Sequence, residues 1–421
     1  MTPRTDTESA PTRATHYKPH HCLLCDSGEL SLALPLARSA IGNEYLPKPG
    51  PQETFALSLH RCVSCGNVQI EDVVNPDRLF RSYTYSTTSS LGLVEHFRKA
   101  ARAIVDRSGA TPGSLVVDIG SNDGSLLYEF RQLGFNVVGV DPAVEIAQRA
   151  TAGGIPTLPE YFTPEVAAQI RAEYGRAAIL TANNVFAHSD TLPAMADGIR
   201  ELLAPDGLFS FEVSYLLDIV QKMLFDTVYH EHLCYHSVRS LNAFFTRHGL
   251  QLFDVQRIPT KGGSLRGLVQ RAGGPRPVSP EVRRLLEWEE LTGLHSPDTF
   301  RAFARRIEAA KEQVLTLLDR VRAAGMIVAG YGASPTVTTL LSQFDLGNRI
   351  DFLVDDNPVK QHTFSPGHHI PVYPPPAIAE READVIVILA WNYAAPIMAK
   401  QTQFAETGGR FIIPLPLLQV V

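Results

Sequence analysis

The feature of this sequence that most restricts its fold is a buried strand followed by a glycine turn and a helix, and it occurs twice. The first strand, residues 115–119, precedes Gly120, and the second, residues 326–331, precedes Gly332. Further strands and helices alternate after each turn, as they do in parallel sheets that are covered by helices on both faces. The sequence therefore predicts an α/β protein with two such domains.

Composition and charge exclude several functional classes. The net charge of −6, from 38 Lys and Arg against 44 Asp and Glu, supplies no positive field for nucleic acid or anionic lipid. No apolar run reaches the roughly 18–20 residues that span a bilayer. Residues 1–19 are polar and lack the apolar segment of a signal peptide. We expect a cytoplasmic protein that binds neither nucleic acid nor membrane, with residues 1–19 as a flexible tail.

Four of the five cysteines form two C-x-x-C pairs and match a structural zinc site of four thiolates: Cys22, Cys25, Cys62 and Cys65. Two disulfides are the alternative, and His21 or His60 could replace one ligand. Four protein ligands leave no open position on the metal, so we expect the zinc to stabilise a small lobe and not to catalyse. The fifth cysteine, Cys234, is predicted to be a small buried residue.

The first glycine turn has the properties of a nucleotide pocket. Backbone N–H groups at the start of the following helix can face a ligand, and Asp141, at the tip of the next strand, can accept both hydroxyls of a ribose. The turn resembles motif I of the class I S-adenosylmethionine methyltransferases. A glycine turn that binds no ligand is the alternative. The candidate cofactor residues are Asp118, Gly120, Asn122, Asp123, Asp141 and, after a later strand, Asn183.

Residues 229–236, with the sequence Tyr-His-Glu-His-Leu-Cys-Tyr-His, concentrate ionisable side chains. The H-E-x-x-H spacing of a zinc protease is absent, which disfavours a catalytic metal. A polar loop without a catalytic role is the other interpretation. Residues 183–186 read Asn-Asn-Val-Phe and lack the prolines typical of enzymes that methylate amines or adenine, which argues against nucleic-acid base methylation.

Taken together, these motifs resemble those of the deoxysugar C-methyltransferases that act on nucleotide-linked ketosugars. The likeness covers nearly the whole chain beyond the tail. It includes the cysteine pairs, Tyr83-x-Tyr85, and the motifs at residues 117–124, 183–188, 229–232, 262–266, 330–333 and 390–392.

The resemblance implies three folded parts and two cofactors, S-adenosylmethionine and a structural zinc ion. The expected parts are a zinc-binding lobe at residues 20–78, a class I methyltransferase core at 79–275 and a second Rossmann-like domain at 323–421. A helical connector at 276–322 is expected to join the last two. The second Rossmann-like domain is expected to help bind the nucleotide sugar, and the protein is expected to be a monomer.

Methylation at carbon requires removal of a proton beside a ketone, and a histidine suits this task because its pKa lies near working pH. By resemblance, His232 is the expected general base, and His230 is expected to be structural. The residues expected to surround the sugar and orient the base are His188, Tyr83, Tyr229 and Glu231. The expected substrate-binding residues are Tyr85, Lys261, Arg266, Tyr331 and Asn392.

Two departures from the family pattern leave the acceptor open. Lys261 stands where the family is expected to have histidine, and its ammonium could favour a carboxylate or a phosphate. The loop at residues 331–336 lacks the expected Lys or second Gly beyond Ala333. A non-sugar carbonyl metabolite is therefore an alternative acceptor. A third hypothesis is a binding module with an inactive methyltransferase fold, although no Lys/Arg cluster supports it.

Overall fold

The computed structural model describes residues 15–81, 83, 86–89 and 92–421. Residues 1–14 of the expected tail lie outside this range. Its last part is ordered, because His16–Tyr17 pair antiparallel with Val73–Val74. The hydroxyl of Tyr17 also donates to Asp190 over 2.9 Å. Residues 16–17 therefore belong to the folded protein, which corrects the boundary expected for the tail.

The N-terminal lobe consists of short strands and one short helix. Its elements are β1 (His16–Tyr17), β2 (Leu30–Leu34), β3 (Ser39–Ala40), β4 (Thr54–Phe55), β5 (Leu59–Cys62), β6 (Val68–Ile70), β7 (Val73–Val74) and α1 (Pro76–Phe80). A 3-10 turn, Thr87–Ser89, follows it.

The central region alternates strands and helices as predicted. Its elements are α2 (Leu93–Ser108), β8 (Leu115–Ile119), α3 (Ser125–Gln132), β9 (Asn136–Val140), α4 (Val144–Ala152), β10 (Thr157–Leu158), α5 (Pro164–Tyr174), β11 (Ala177–Asn183), α6 (Leu192–Leu202), β12 (Leu203–Ser214), α7 (Leu216–Lys222), β13 (Cys234–Tyr235), α8 (Val238–Arg247), β14 (Leu250–Ile258) and β15 (Ser264–Arg271). Two 3-10 turns lie at Phe225–Thr227 and Thr260–Gly262.

The central sheet has seven strands in the order β10-β9-β8-β11-β12-β15-β14. The first five are parallel, whereas β15 runs antiparallel to both β12 and β14. The expectation of a purely parallel sheet is therefore wrong at this edge. The parallel part is buried on both faces, which explains why β8 is a continuous apolar run with one acid, Asp118.

The expected helical connector is divided into two helices, α9 (Pro280–Leu291) and α10 (Pro297–Ala323). Each begins with a serine whose side chain accepts a hydrogen bond from the first turn, Ser279 and Ser296, followed by proline. Serine caps and first-turn prolines both favour a new helix start. This pair of signals separates two helices where the periodicity alone predicted one segment.

The C-terminal region is a second α/β unit. Its elements are β16 (Val328–Tyr331), α11 (Pro335–Phe344), β17 (Phe352–Val354), β18 (Val372–Tyr373), α12 (Ala377–Glu380), β19 (Val385–Ile388), α13 (Ala394–Lys400), α14 (Thr402–Glu406), β20 (Arg410–Ile413) and β21 (Gln419–Val420). The strand order is β18-β17-β16-β19-β20-β21, parallel except for β21. A 3-10 turn at Trp391–Tyr393 follows β19.

Residues 225–236, the central segment, are held by all three parts of the fold. Strand β13 pairs antiparallel with β6 of the N-terminal lobe, so a four-stranded sheet joins β13, β6, β5 and β2. The backbone N–H groups of Leu233 and Cys234 donate to the carbonyl of Ala187 in the core. Because all three parts of the fold contact this segment, a change in any of them can alter its position.

The C-terminal unit contacts the same segment through side chains. Thr339 of α11 donates to the carbonyl of Val228 over 2.8 Å, and the indole N–H of Trp391 donates to Asp226 over 2.8 Å. Phe344 stacks on Phe225 with ring centroids 5.4 Å apart. None of the helices in the described ranges has the length and apolar character needed to cross a bilayer.

Candidate active site

The four predicted cysteines meet in the N-terminal lobe, with their sulfur atoms all within 4.8 Å of one another. The Sγ atoms are 3.6 Å apart between Cys22 and Cys65 and 3.5 Å apart between Cys25 and Cys62, too far for disulfide bonds. Four thiolates at about 2.3 Å from a tetrahedral zinc ion would be about 3.8 Å apart. The residues present therefore fit a zinc ion.

The zinc site is connected to the central segment by Asn67. Its side-chain amide donates to the sulfur of Cys22 over 3.8 Å and to the sulfur of Cys234 over 3.7 Å. Cys234 is buried, as predicted, and lies outside the four-sulfur cluster. Neither His21 nor His60 belongs to that cluster, so four cysteines are the candidate ligands.

The first glycine turn connects β8 to α3. Gly120 has a φ of +68°, and a β-carbon there would lie 2.2 Å from a methyl group of Val185. Only glycine suits this combination of left-handed backbone and close contact. The turn therefore brings the backbone of β8 against the residues that follow β11.

Asp141 lies at the tip of β9 and binds the glycine turn. Its Oδ2 accepts from the backbone N–H of Asn122 over 2.8 Å, and its Oδ1 accepts from the N–H of Ala143 over 2.9 Å. Each carboxylate oxygen has two lone pairs, so each retains one for a ligand hydroxyl. Burial raises the pKa of Asp141. The residue thus fits the predicted contact with an adenosine ribose.

The other candidate cofactor residues divide between ligand-facing and structural positions. Asn183 ends β11, and both polar atoms of its buried amide lack a hydrogen-bond partner among the described residues. This unused capacity fits a polar ligand such as the methionine end of S-adenosylmethionine. By contrast, Asp118 is buried in the sheet, where it accepts from Thr181 over 2.6 Å. Burial raises the pKa of Asp118 to about 7.

The turn at Thr87–Ser89 lies over the glycine turn. Asp123 accepts from the hydroxyl of Ser86 over 2.5 Å and from the N–H of Thr88 over 3.1 Å, while its other oxygen caps α3 through Ser125. Asn122 accepts from the N–H of Thr87. Asp123 and Asn122 therefore hold residues 86–88 against the glycine turn.

Replacing Asp141 by asparagine is expected to weaken S-adenosylmethionine binding about 10- to 100-fold. The amide loses one acceptor and the charge, and a hydrogen bond to a charged group contributes about 1.5–3 kcal/mol. Isothermal titration calorimetry measures the affinity. Asp106→Asn, at an exposed position of α2, is the matched control. Equal affinities in the two variants would contradict the ribose contact.

The imidazole of His232 is oriented by the backbone. Its Nδ1 lies 2.8 Å from the carbonyl oxygen of Thr227, and since a carbonyl can only accept, Nδ1 carries the proton. The Nε2 atom of the neutral ring then has a free lone pair. Burial, followed by the charge of Lys261, lowers the pKa of His232 to about 4. His232 is therefore a neutral imidazole with its basic nitrogen on the side opposite Thr227.

Aromatic rings surround His232. The ring of Tyr229 lies 4.1 Å away between centroids, and His188 stacks on His232 at 5.1 Å. Phe80 stacks on His188, with ring centroids 5.7 Å apart. Burial and the neighbouring His232 lower the pKa of His188 well below its usual value. Both histidines are therefore uncharged near neutral pH.

The carboxylate of Glu231 interacts with residues other than those around His232. Its carboxylate accepts from the hydroxyl of Tyr83 over 2.9 Å, and burial raises its pKa. The charges of Lys360 and Lys261 oppose that rise. Lys360 is itself buried, donates to Asn43 over 2.5 Å and has its pKa lowered by burial to about 8. Residues from all three parts of the fold thus meet near Glu231.

The predicted substrate residues are only partly brought together. The charge of Lys261 lowers the pKa of His188 and His232 and opposes the rise in the pKa of Glu231. Asn392 lies beside the next residue, Gly262, with its Oδ1 3.3 Å from where a β-carbon on that glycine would lie. Tyr85 lies outside the described residues.

Arg266 and Tyr331 occupy positions that favour structural roles over the predicted substrate contacts. The buried guanidinium of Arg266 pairs with Glu212 on the adjacent strand, with Nε–Oε1 at 2.8 Å. Glu212 also contacts His96 at 2.8 Å. The hydroxyl of Tyr331 donates to Asp356 over 3.1 Å, and burial raises the pKa of that phenol. Both side chains therefore have protein partners in this structure.

Three residues near the site were not predicted from the sequence: Thr227, Phe80 and Lys360. Thr227 acts through its carbonyl, which every residue carries, so no side-chain pattern could reveal it. Phe80 ends α1 and stacks on a histidine 108 positions later. The sequence offers one signal for Lys360 as a site residue, which is its position six residues after Val354, the end of β17.

Comparison with known families agrees with this arrangement. Residues 22–80 match a zinc binding domain, residues 93–255 match a methyltransferase domain, and residues 259–416 match a C-methyltransferase C-terminal domain. Together these ranges cover the lobe, the central sheet and the second α/β unit.

Individual proteins are also similar. The C-methyltransferase NovU of Streptomyces niveus is 38% identical over 388 residues, which is 92% of each chain. Among solved structures, magnesium protoporphyrin IX methyltransferase of Synechocystis PCC 6803 with bound S-adenosylmethionine has a TM-score of 0.33 at 16% identity, covering 43% of this chain and 80% of that one. The CcbJ methyltransferase of Streptomyces caelestis has a TM-score of 0.33 at 16% identity, covering 42% and 89%.

Proposed function

Because this chain belongs to the zinc-containing, S-adenosylmethionine-dependent C-methyltransferases, we propose that it methylates the carbon beside the ketone of a nucleotide-linked deoxysugar. When bound, S-adenosylmethionine supplies an electrophilic methyl group. Asp141 and Asn183 are the residues that would hold its ribose and its methionine end. The protein must generate a nucleophilic carbon on the acceptor and exclude water while it does so.

The observation that carries the proposal is the hydrogen bond between His232 Nδ1 and the carbonyl of Thr227. It holds the ring in the tautomer whose Nε2 can accept a proton. The low pKa of His232 keeps that nitrogen deprotonated at neutral pH. In our proposal His232 removes the proton from the carbon next to the ketone and leaves an enolate as the nucleophile.

Neighbouring side chains would orient the base and the sugar. The stacked ring of His188 and the ring of Tyr229 restrict the rotation of His232 and reduce the access of water. The pair of Glu231 and Tyr83 would offer hydrogen bonds to sugar hydroxyls. A reacting group held between such partners gains from proximity and orientation.

The C-terminal unit supports a nucleotide as part of the acceptor. Its β16, Gly332 and α11 form a second strand, glycine turn and helix, and Asp355 follows the tip of β17. Asp355 accepts from the N–H of Ala333 over 2.6 Å, as Asp141 accepts from Asn122 in the central sheet. An acid at this place in an α/β sheet suits a ribose.

The proposal is tested by proton exchange without the cofactor. The enzyme is incubated in deuterated water with a panel of nucleotide-linked ketosugars, and deuterium at each carbon is measured by NMR. We expect one panel member to gain deuterium at a single carbon beside its ketone, far faster than in a sample without enzyme, because His232 returns a solvent deuteron to the enolate.

Two results would contradict the sugar as acceptor. One is the absence of exchange in every nucleotide ketosugar, and the other is the absence of thermal stabilisation by any nucleoside diphosphate. Exchange in a non-sugar ketone under the same conditions would instead support the alternative acceptor that Lys261 suggested.

A further inference from the structure

Lys261 adopts a backbone conformation that is rare for its residue type. It lies in the 3-10 turn Thr260–Gly262, immediately before β15, with φ 52° and ψ 34°. A β-carbon disfavours this left-handed region, and such conformations are retained where the surrounding structure enforces them. The position therefore requires an explanation beyond the local sequence.

The neighbours of Lys261 hold the turn in place. The carbonyl of Gly262 accepts from the ammonium of Lys222 over 2.9 Å, and the hydroxyl of Ser264 donates to the carbonyl of Thr260 over 3.0 Å. A β-carbon on Gly262 would approach Leu224 to 2.7 Å. Because the turn cannot relax easily, the backbone from which the Lys261 side chain extends has a fixed position.

The ammonium of Lys261 has no partner within the described part of the protein. It forms no hydrogen bond or ion pair there, whereas Glu231 is bonded to Tyr83 and Glu212 to Arg266. The residue is exposed to solvent, yet enough protein surrounds it to lower its pKa by desolvation. A partly desolvated cation without a hydrogen-bond partner is stabilised when a ligand supplies an anionic oxygen.

The residues around Lys261 indicate which oxygen of a ligand its ammonium would bind. The next residue, Gly262, packs against Leu224, where a β-carbon would come within 2.7 Å of the leucine side chain. The carbonyl of Leu224 accepts from the hydroxyl of Thr227 over 2.7 Å, and the carbonyl of Thr227 accepts from Nδ1 of His232. Lys261 therefore lies close to the proposed base, and its charge lowers the pKa of both His188 and His232. Glu231 and Glu212 face it from two other elements. The cation therefore lies near His232, the residue that the proposed function makes the base.

We propose that Lys261 donates a hydrogen bond to the carbonyl oxygen of the acceptor and stabilises the negative charge that forms there when His232 removes the α-proton. This inference rests on the proposed function. The carbon–hydrogen bond breaks, its electron pair forms a carbon–carbon double bond, and the carbonyl π electrons move to oxygen. The proton resides on His232 Nε2, and the ammonium keeps its three protons.

A weak base makes such a partner necessary. A buried imidazole with a depressed pKa binds a proton poorly, so it can deprotonate carbon only if the enolate is stabilised. A preorganised cation at the developing oxyanion provides this stabilisation. Lys261 compensates in this way for the environment that makes His232 a poor proton acceptor.

The test is the exchange reaction of the Lys261→Met variant with the ketosugar that the wild type exchanges. We expect the maximal exchange rate to fall about 100- to 1000-fold, the range seen when one oxyanion donor is removed. The KM for the ketosugar should stay within about threefold, because the interaction forms fully only as charge develops. Lys261→Arg, which keeps the cation, should retain exchange within about tenfold of wild type.

Controls distinguish the inference from folding and from the proposed function. Lys99→Met, on an exposed lysine of α2, should exchange at the wild-type rate. Calorimetry with S-adenosylmethionine shows whether each variant is folded, and Lys261→Gln replaces the methionine variant if that one is not.

Unchanged exchange in a folded Lys261 variant would overturn the inference. A rise in KM with an unchanged maximal rate would also overturn it, because Lys261 would then bind a permanent anion such as a phosphate. If the wild type exchanges no ketosugar, the proposed function fails and the inference fails with it.

Discussion

Replacing His232 by alanine is expected to slow both methyl transfer and solvent exchange at the acceptor carbon about 100- to 10,000-fold. This is the range that a positioned general base contributes. The imidazole is neutral, and its Nδ1 donates to the carbonyl of Thr227. The proton acceptor that is lost with the ring is therefore Nε2. Rates are measured with labelled cofactor for methylation and by NMR for exchange.

The control for this variant is His20→Ala, at an exposed position of the N-terminal lobe, which should retain the wild-type rate. The binding of S-adenosylmethionine should be similar in both variants. A His232→Ala enzyme that still exchanges the α-proton at the wild-type rate would exclude this residue as the base.

The pH dependence of the wild type gives an independent check on the same residue. The base is active when deprotonated, and the pKa of His232 is lowered to about 4. The contribution of this group should therefore be constant from about pH 6 upward and should be lost as the pH falls through 4. A rate that rises through pH 6.5 would indicate that a histidine with an ordinary pKa is the base.

Loss of the zinc ion is expected to have the largest effect on stability. Cys62→Ser should reduce bound zinc from one ion per chain and lower the midpoint of thermal unfolding by about 5 °C or more, since structural zinc contributes several kcal/mol to folding. Zinc content is measured by mass spectrometry of the metal, and unfolding by calorimetry. Cys62 is fully buried and ends β5, so its removal also disturbs the lobe's sheet.

The same change should reduce activity although the zinc ion is not catalytic. Strand β6 of the lobe pairs with β13, which follows His232 by two residues. Cys234→Ala is the matched control, because Cys234 is also a buried cysteine but lies outside the four-sulfur cluster. That variant should keep one zinc ion. A Cys62→Ser protein with full zinc and an unchanged midpoint would contradict the assignment of this ligand.

Much of the fold could be predicted from local patterns. Strands β8 and β9 are short, mainly apolar runs, and Gly120 and Asp141 directly follow them, as expected. The fold class, the methyltransferase family, S-adenosylmethionine and the four-cysteine zinc site are confirmed. These features depend on contacts that leave short signatures in the sequence.

The features that the sequence did not predict are contacts between residues that are distant in the chain. Strand β15 lies antiparallel to both β12 and β14, and this arrangement places Arg266 opposite Glu212, with which it forms a buried ion pair. The short connection from Ile258 to Ser264 is the local signal for the pairing with β14, whereas the pairing with β12 has no such signal. The pairing of β13 with β6 joins positions more than 160 residues apart. Sequence patterns identify strands, whereas side-chain complementarity across the sheet selects their neighbours.

Residues 225–236 contact all three parts of the fold, and these contacts limit which domains can be exchanged between such enzymes. An engineer who grafts a C-terminal unit from a relative, in order to change acceptor choice, also replaces Thr339 and Trp391, which bind Val228 and Asp226. A chimera that preserves these two hydrogen bonds should keep the base aligned. One that loses them would fold each module correctly and still misplace the imidazole.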